Sequence, residues 1–167
     1  AEAVHLKNNV VIIYVKSVEH QNTHFDTNII SDNGVTGIMI TYHKSKKMWG
    51  LCHLINWSRF YIGHQLGWRA VSVMGFKPDM MHVNVTYPAG IIAWIWSKTR
   101  RLPYVISEHW TGFLHGVKNS FKNHNPIYKR LWGRLFRSAE IVTVVSDILG
   151  KSIRDHFGIK NYSVVHN

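Results

Sequence analysis

The chain has 167 residues, 46 % of them hydrophobic and 13 % aromatic, and 20 Lys and Arg against 9 Asp and Glu give a formal charge of +11. This composition excludes a disordered, collagen-like or low-complexity protein, and a single cysteine, Cys52, excludes a disulfide framework or a cysteine-based metal site. No apolar run is long enough to span a membrane, and the lone cysteine fits a reducing, cytoplasmic location. The length is that of one domain, and the charge predicts an anionic partner: nucleic acid, anionic lipid or a phosphorylated ligand.

The first half of the chain predicts two strands and one long helix. Residues 10–15 (VVIIYV) form a continuous apolar run that is typical of a strand buried on both faces, and residues 37–42 (GIMITY) predict a second strand. The polar stretch between them, residues 16–33, predicts a loop that ends at the turn pair Asn33-Gly34. Residues 51–73 predict a helix. Its apolar stripe, which we expect to face the sheet, consists of Leu51, Ile55, Ile62, Leu66 and Val73.

Beyond the helix-breaking Lys77-Pro78, apolar strands and helices alternate along the chain. The predicted strands are residues 80–85, 104–107, 141–145 and 162–165. The predicted helices are residues 89–96, 127–138 and 146–157, the last with Ser146 as its N-cap. This alternation is typical of α/β proteins and predicts a Rossmann-like, doubly wound parallel sheet.

Amphipathic and polar side chains follow one predicted strand at the edge where parallel sheets bind ligands. Glu108, His109, Trp110 and Thr111 come directly after residues 104–107, and they bring a carboxylate, an imidazole and an indole into one small volume. The plainer alternative places Trp110 in the core and pairs Glu108 with a Lys or Arg. We favour a functional cluster, because packing alone does not readily explain three such groups after a buried strand.

Two further strand ends are candidates for the same edge of the sheet. Asn84 and Tyr87 precede a helix start at Pro88, whose free N–H groups favour anions or hydroxyls, although such a turn can equally be a plain helix start. Ser146 follows residues 141–145, and plain N-capping is the simpler interpretation there.

The chain lacks the motifs of several enzyme classes. It has no Walker loop, no Gly-x-Gly-x-x-Gly and no Gly-x-Ser-x-Gly, which argues against nucleotide hydrolases, simple dehydrogenases and serine hydrolases. Its 12 histidines include no His-Glu-x-x-His spacing and no close pair beside a carboxylate. We therefore expect neither a metal ion nor a resident cofactor.

Positive charge is concentrated around the predicted helix at residues 127–138, where Arg130, Arg134 and Arg137 share one side. The cations that adjoin this side are Lys118, Lys122 and Lys129. The plain interpretation is a helix face exposed to solvent, whereas the net charge favours a binding site for anionic lipid headgroups at a membrane surface. We expect no nucleic-acid partner, because the sequence has no helix-turn-helix, basic zipper or RNA-binding aromatic motif, and a nucleic-acid-binding α/β domain is the weaker alternative.

Three segments in combination resemble a known family. They are residues 78–84 (PDMMHVN), 87–90 (YPAG) and 102–113 (LPYVISEHWTGF). Together with residues 141–147 (IVTVVSD) and 162–167 (YSVVHN), they are similar to the N-terminal, acceptor-side domain of the retaining glycosyltransferases of family 4, which have the two-domain GT-B fold. The resemblance implies that residues 1–167 are one such domain, truncated at both ends.

The resemblance also implies an activity. Enzymes of this family transfer a sugar from a nucleotide-diphosphate donor to a polysaccharide or lipid-linked acceptor, without an essential metal, and we expect such a protein in the bacterial cytoplasm or at the inner face of the plasma membrane. By position, His109 matches the family histidine that contacts the transferred sugar. The residues that would bind the acceptor are Asn84, Tyr87, Glu108, Trp110, Thr111 and Ser146.

Compared with the family pattern, two parts would be missing from the chain. Without the C-terminal domain that holds the nucleotide-sugar, the isolated chain is expected to be inactive. Without its first strand, the sheet would either close over a gap or be completed by another chain, which predicts self-association through an open edge. The alternative to a transferase is a non-catalytic α/β module that binds carbohydrate or anionic lipid.

Overall fold

A computed structural model of the chain describes residues 9–19, 23–46, 51–114 and 121–165. The strands within these residues form two sheets, a three-stranded one before Pro78 and a four-stranded one after it. The chain divides at the same point into two compact units, residues 1–77 and 78–167. The predicted α/β fold with a parallel sheet flanked by helices is confirmed in the second unit.

The first unit contains the strands β1 (Val11–Val18), β2 (Phe25–Asp32) and β3 (Val35–His43), hydrogen bonded in the order β1-β3-β2. β1 runs parallel to β3, whereas β2 pairs with β3 antiparallel. The hairpin turn is Asn33-Gly34, whose φ angles of 47° and 77° are the positive values that a two-residue hairpin turn requires.

The predicted loop at residues 16–33 is wrong over most of its length, because it contains the end of β1 and all of β2. β2 lies at the edge of the sheet, and after Phe25 every one of its residues is exposed. An edge strand of this kind has no buried face, so its sequence carries no alternation of apolar and polar residues from which a strand could be predicted.

The helix α1 (Leu51–Val73) begins and ends as predicted, but it turns a different side to the sheet. Its buried residues are Gly63, His64, Gly67 and Val71. The predicted contact stripe is wrong, since Leu51, Ile62 and Val73 are 49 %, 45 % and 80 % exposed.

Two glycines explain which side of α1 meets the sheet. A Cβ atom on Gly63 would lie 2.7 Å from Val15 Cγ1, and a Cβ atom on Gly67 would lie 2.7 Å from Ile13 Cγ2 and 3.0 Å from Ile40 Cδ1. The helix therefore approaches β1 and β3 more closely than any larger side chain would permit. A stripe chosen by apolar residues alone misses this side, because glycine contributes contact area through its backbone and has no side chain to count.

The second unit contains the strands β4 (Met81–Asn84), β5 (Tyr104–Glu108), β6 (Ile141–Val144) and β7 (Ser163–Val164), all parallel and in sequential order. The helices that alternate with them are α2 (Ala89–Thr99), α3 (Pro126–Ser138) and α4 (Asp147–Phe157). Every predicted strand and helix of this half is present, with bounds that differ by at most three residues.

Aromatic and aliphatic side chains fill the core of the second unit. Tyr104, Ile106, Phe113, Leu135 and Phe136 are all 2 % exposed or less. The Tyr104 hydroxyl donates a 2.6 Å hydrogen bond to the Leu135 carbonyl oxygen, and burial raises the pKa of Tyr104 to about 12. This bond ties the first residue of β5 to the C-terminal part of α3.

We predict that Gly67→Val destabilises the chain by about 1–3 kcal/mol, because the new side chain has to displace Ile13 and Ile40 from packed positions. Ser58→Val is the matched control: it introduces the same β-branched residue at an exposed position of α1. Urea unfolding measures both free energies. Equal losses in the two variants would show that helix propensity, and not close packing, sets the effect.

Candidate functional site

A pocket of about 460 Å³ opens at the carboxyl ends of β4 and β5, against α3. Its lining residues are Val85, Tyr87, Glu108, Trp110, Phe113, His124, Tyr128 and Trp132. The volume lies within the range of about 300–1,000 Å³ that is usual for small-molecule sites. Within the second unit the pocket therefore lies at the strand ends, where open parallel sheets bind their ligands.

Aromatic rings form most of the pocket wall, and three of them contact the ring of Trp132. Its ring centroid lies 5.7 Å from that of Trp110, 5.7 Å from that of Phe113 and 6.0 Å from that of Tyr87. Tyr128 adds a further ring, 6.1 Å from Tyr87. Such a wall offers apolar faces for a ring or a chain to lie on, with a few polar groups at its edges.

Trp132 also carries a polar group without a partner. Its indole is 4 % exposed, and the Nε1–H is buried and has no hydrogen-bond acceptor within the described residues. A buried donor without an acceptor costs about 1–3 kcal/mol.

The carboxylate of Glu108 anchors the turns that carry the pocket residues. The side chain is 1 % exposed, and its oxygens accept hydrogen bonds from three backbone N–H groups. Oε2 accepts from Thr86 N at 3.0 Å, and Oε1 accepts from His109 N at 3.0 Å and from Trp110 N at 2.8 Å. Glu108 therefore holds the turn after β4 and the turn after β5 in one fixed geometry. Within the described residues, backbone donors and not a Lys or Arg balance its charge.

The turn between β4 and α2 has an unusual backbone. Val85 has a φ of 67°, which is rare for a β-branched residue and persists only where surrounding contacts enforce it. Here Val85 N donates to Ser107 O at 2.9 Å, and the next residue, Thr86, is fully buried with its N–H on Glu108. The Tyr87-Pro88 peptide bond that follows is cis. The turn thereby places Val85 and Tyr87 in the pocket wall.

A chain of polar side chains crosses the sheet next to these turns. His82 Nε2 lies 2.7 Å from Ser107 Oγ, which lies 2.6 Å from Thr143 Oγ1. Burial lowers the pKa of His82, so its imidazole is neutral at neutral pH. The three side chains link β4, β5 and β6 close to their carboxyl ends: His82 lies two residues before the end of β4, and Ser107 and Thr143 lie one residue before the ends of β5 and β6.

The structure brings three of the predicted site residues together and leaves four apart. Tyr87, Glu108 and Trp110 line the pocket. His109, Asn84 and Thr111 are exposed and lie outside its lining, although His109 is fixed by its backbone N–H on Glu108. Ser146 caps α4, with Oγ accepting from Leu149 N at 3.3 Å, as the simpler interpretation predicted. Whether these seven residues bind a substrate stays a prediction.

Sequence reasoning missed the rest of the lining. The missed residues are Val85, Phe113, His124, Tyr128 and Trp132. For three of them the sequence offers a pattern that could have indicated a shared site. His124, Tyr128 and Trp132 are spaced four residues apart, which places their side chains along one line where α3 begins. Their rings are in contact, with centroids 6.5 Å apart for His124–Tyr128 and 5.1 Å apart for His124–Trp132.

A second cavity, of about 360 Å³, lies on the neighbouring side of α3. Its lining residues are Phe121, Lys129, Arg130, Gly133, Arg137, His156 and Phe157. Three predicted patch cations, Lys129, Arg130 and Arg137, are among them, whereas Arg134 is not. Lys118 and the side chain of Lys122 lie outside what the structure describes.

Searches for two other kinds of site gave negative results. In residues 9–19, 23–46, 51–114 and 121–165, no group of three or more His, Cys, Asp or Glu side chains is placed to hold a metal ion. In the same part of the chain, none of the helices has the length and apolar character that crossing a membrane requires.

We predict that Glu108→Gln destabilises the second unit by about 2 kcal/mol, because the amide replaces one acceptor oxygen with an N–H₂ group that faces backbone donors. Glu140→Gln, at an exposed position, is the control for loss of one carboxylate charge. Chemical denaturation followed by circular dichroism measures the difference. Similar stabilities for the two variants would rule out the anchoring role.

Comparison with known proteins adds one match to this geometry. The family model described as Glycosyltransferase Family 4 matches residues 38–167, which is most of the chain, and no match to the chain was found among curated proteins. The match includes all of the second unit and therefore every residue of the aromatic pocket. The assignment of residues 1–167 to a single N-terminal domain stays a prediction. The chain belongs to glycosyltransferase family 4.

Proposed function

We propose that the chain is the acceptor-binding domain of a retaining, hexosyltransferase-type enzyme that moves a sugar from a nucleotide-diphosphate donor to a saccharide or lipid-linked acceptor. The observation that carries the proposal is the aromatic pocket at the carboxyl ends of β4 and β5 in a chain of glycosyltransferase family 4. Pocket and family agree, because a transferase needs a preformed site that orients a second substrate toward the donor.

The chemistry of the pocket suits a sugar ring. Tyr128 and Trp132 line the pocket with aromatic rings, against which the C–H side of a pyranose packs. The Tyr87 and Tyr128 hydroxyls are polar tips on otherwise apolar walls. The pocket in this proposal receives the acceptor end that carries the reacting hydroxyl.

His109 is the residue that contacts the transferred sugar in this proposal. It follows β5 directly and its side chain is exposed, while its backbone N–H is held 3.0 Å from Glu108 Oε1. The fixed backbone restricts where the imidazole reaches, which a group acting on a reacting sugar requires. Further candidates for contacts to the acceptor are Asn84, the last residue of β4, and Thr111 and Ser146, which follow β5 and β6.

The remaining partners follow from the same proposal. The nucleotide-sugar enters as a co-substrate and is held mainly by the second domain of the family fold. The protein works in the cytoplasm, at the inner face of the plasma membrane, in the synthesis of a bacterial surface polysaccharide or glycolipid. The exposed Arg130, Arg134 and Arg137 on α3 support a position next to anionic lipid.

We predict that Tyr128→Ala weakens binding of a glycoside about fivefold, because one aromatic wall of the pocket is lost. The probes are the octyl β-glycosides of glucose, galactose and N-acetylglucosamine, below the concentration at which they form micelles. Saturation-transfer NMR measures the binding. Ile127→Ala is the matched control, since Ile127 is the neighbouring residue on α3, is 76 % exposed and lies outside the pocket.

Two outcomes contradict the proposed acceptor site: saturation transfer to none of the three glycosides, or the same loss in Tyr128→Ala and Ile127→Ala. His109→Ala separates a transferase from a binding module. In the enzyme that contains this domain, it should leave glycoside binding intact and lower the rate of sugar transfer. An unchanged rate removes the proposed role of His109.

A further inference from the structure

The cavity on the cationic side of α3 is built from parts that the aromatic pocket does not use. Its wall is formed by α3, by the short 3-10 turn Phe121–Asn123 and by the C-terminal end of α4. Four of its lining residues carry basic side chains: Lys129, Arg130, Arg137 and His156. None of the described residues that line it is acidic.

Two arginines of this cavity have no carboxylate partner among the described residues. Within the described residues, Arg130 and Arg137 form no salt bridge, although Asp147 and Asp155 of α4 pair with Lys151 and Arg154. α3 has no acidic residue in its first turn, so Lys129 and Arg130 lie near the positive end of a helix dipole. Like charges that share a concave surface repel one another, and a bound anion removes that repulsion.

Two of the cations, Arg137 and Lys129, are held in place by contacts within the protein. Arg137 Nη1 donates a 2.8 Å hydrogen bond to the Phe157 carbonyl oxygen, and the guanidinium lies against Gly133, where a Cβ atom would be 2.9 Å from Nη1. Lys129 Nζ lies 5.6 Å from the centroid of the Phe121 ring. Contacts that order these side chains in advance reduce the entropy that is lost when an anion binds.

One further group is oriented by the backbone. His156 Nδ1 lies 2.7 Å from the Ser152 carbonyl oxygen, which can only accept, so this nitrogen carries a hydrogen. The imidazole is thereby fixed at the rim of the cavity.

We infer that this cavity binds a phosphate group. Arginine presents planar, forked N–H donors that match phosphate oxygens, and a lysine beside two arginines adds a compact charge. The phosphate belongs either to a lipid headgroup or to a soluble phosphorylated molecule. The inference does not depend on the proposed transferase function, since it rests on a different cavity and a different set of side chains.

The test compares two arginines of α3 on the full chain. Arg130 lines the cavity and Arg134 does not, yet both are exposed, carry the same charge and lie one helical turn apart. Calorimetric titration with inorganic pyrophosphate should give a dissociation constant that is about tenfold weaker in Arg130→Gln and nearly unchanged in Arg134→Gln. Sodium sulfate at matched ionic strength controls for screening, and circular dichroism confirms that both variants are folded.

A second arm identifies the source of the phosphate. Vesicles of phosphatidylcholine with phosphatidic acid are sedimented with the protein, with and without pyrophosphate. Displacement by pyrophosphate, lost in Arg130→Gln, supports a lipid phosphate in the cavity, whereas pyrophosphate binding without vesicle binding supports a soluble phosphorylated ligand. Failure of the wild-type chain to bind pyrophosphate overturns the inference, and so does an equal loss in Arg130→Gln and Arg134→Gln, which would show diffuse attraction to the whole basic face.

Discussion

The buried carboxylate of Glu108 is the constraint on which the candidate site depends. A charge that is 1 % exposed is costly to bury unless donors surround it, and here three backbone N–H groups supply that compensation. Two of the donors belong to the turn after β5 and one to the turn after β4, so neither turn is free to move without the other. The left-handed backbone conformation of Val85 and the positions of Tyr87 and Trp110 follow from this anchoring.

The helix α3 gives the site its second wall and separates two kinds of surface. Tyr128 and Trp132, four residues apart, face the aromatic pocket, while Lys129 and Gly133, one residue further along each, face the cationic cavity. A shift of one residue turns the side chain by about 100°, so a single helix presents an apolar wall and a charged wall side by side. Leu135 and Phe136 hold the helix in the core.

Sequence patterns predicted the elements well where one face is buried, and poorly where contacts depend on backbone atoms. The parallel strands are predicted by runs of apolar residues and α1 by its length and apolar content. The expectation that residues 10–15 are buried on both faces is wrong, since Ile12 and Tyr14 on one face of β1 are 41 % and 55 % exposed. β2 could not be predicted, because an exposed edge strand has no run of apolar residues. The side of α1 that packs on the sheet could not be predicted either, because Gly63 and Gly67 have no side chain. The partners of Glu108 are N–H groups that every sequence possesses, so no residue pattern could have identified them. The contacts of Trp132 in the pocket could not be predicted either, because the rings that it contacts, those of Tyr87 and Trp110, belong to segments distant in the sequence.

The most direct measurement of the Glu108 anchor is amide hydrogen exchange by NMR in the wild-type chain and in Glu108→Gln. The amides of Thr86, His109 and Trp110 should be protected in the wild type, because each donates to the carboxylate. In the variant their exchange should accelerate more than that of Ile106, whose amide belongs to the buried strand β5. Unprotected amides at these three positions in the wild type, or an acceleration no larger than that of Ile106, would contradict the account.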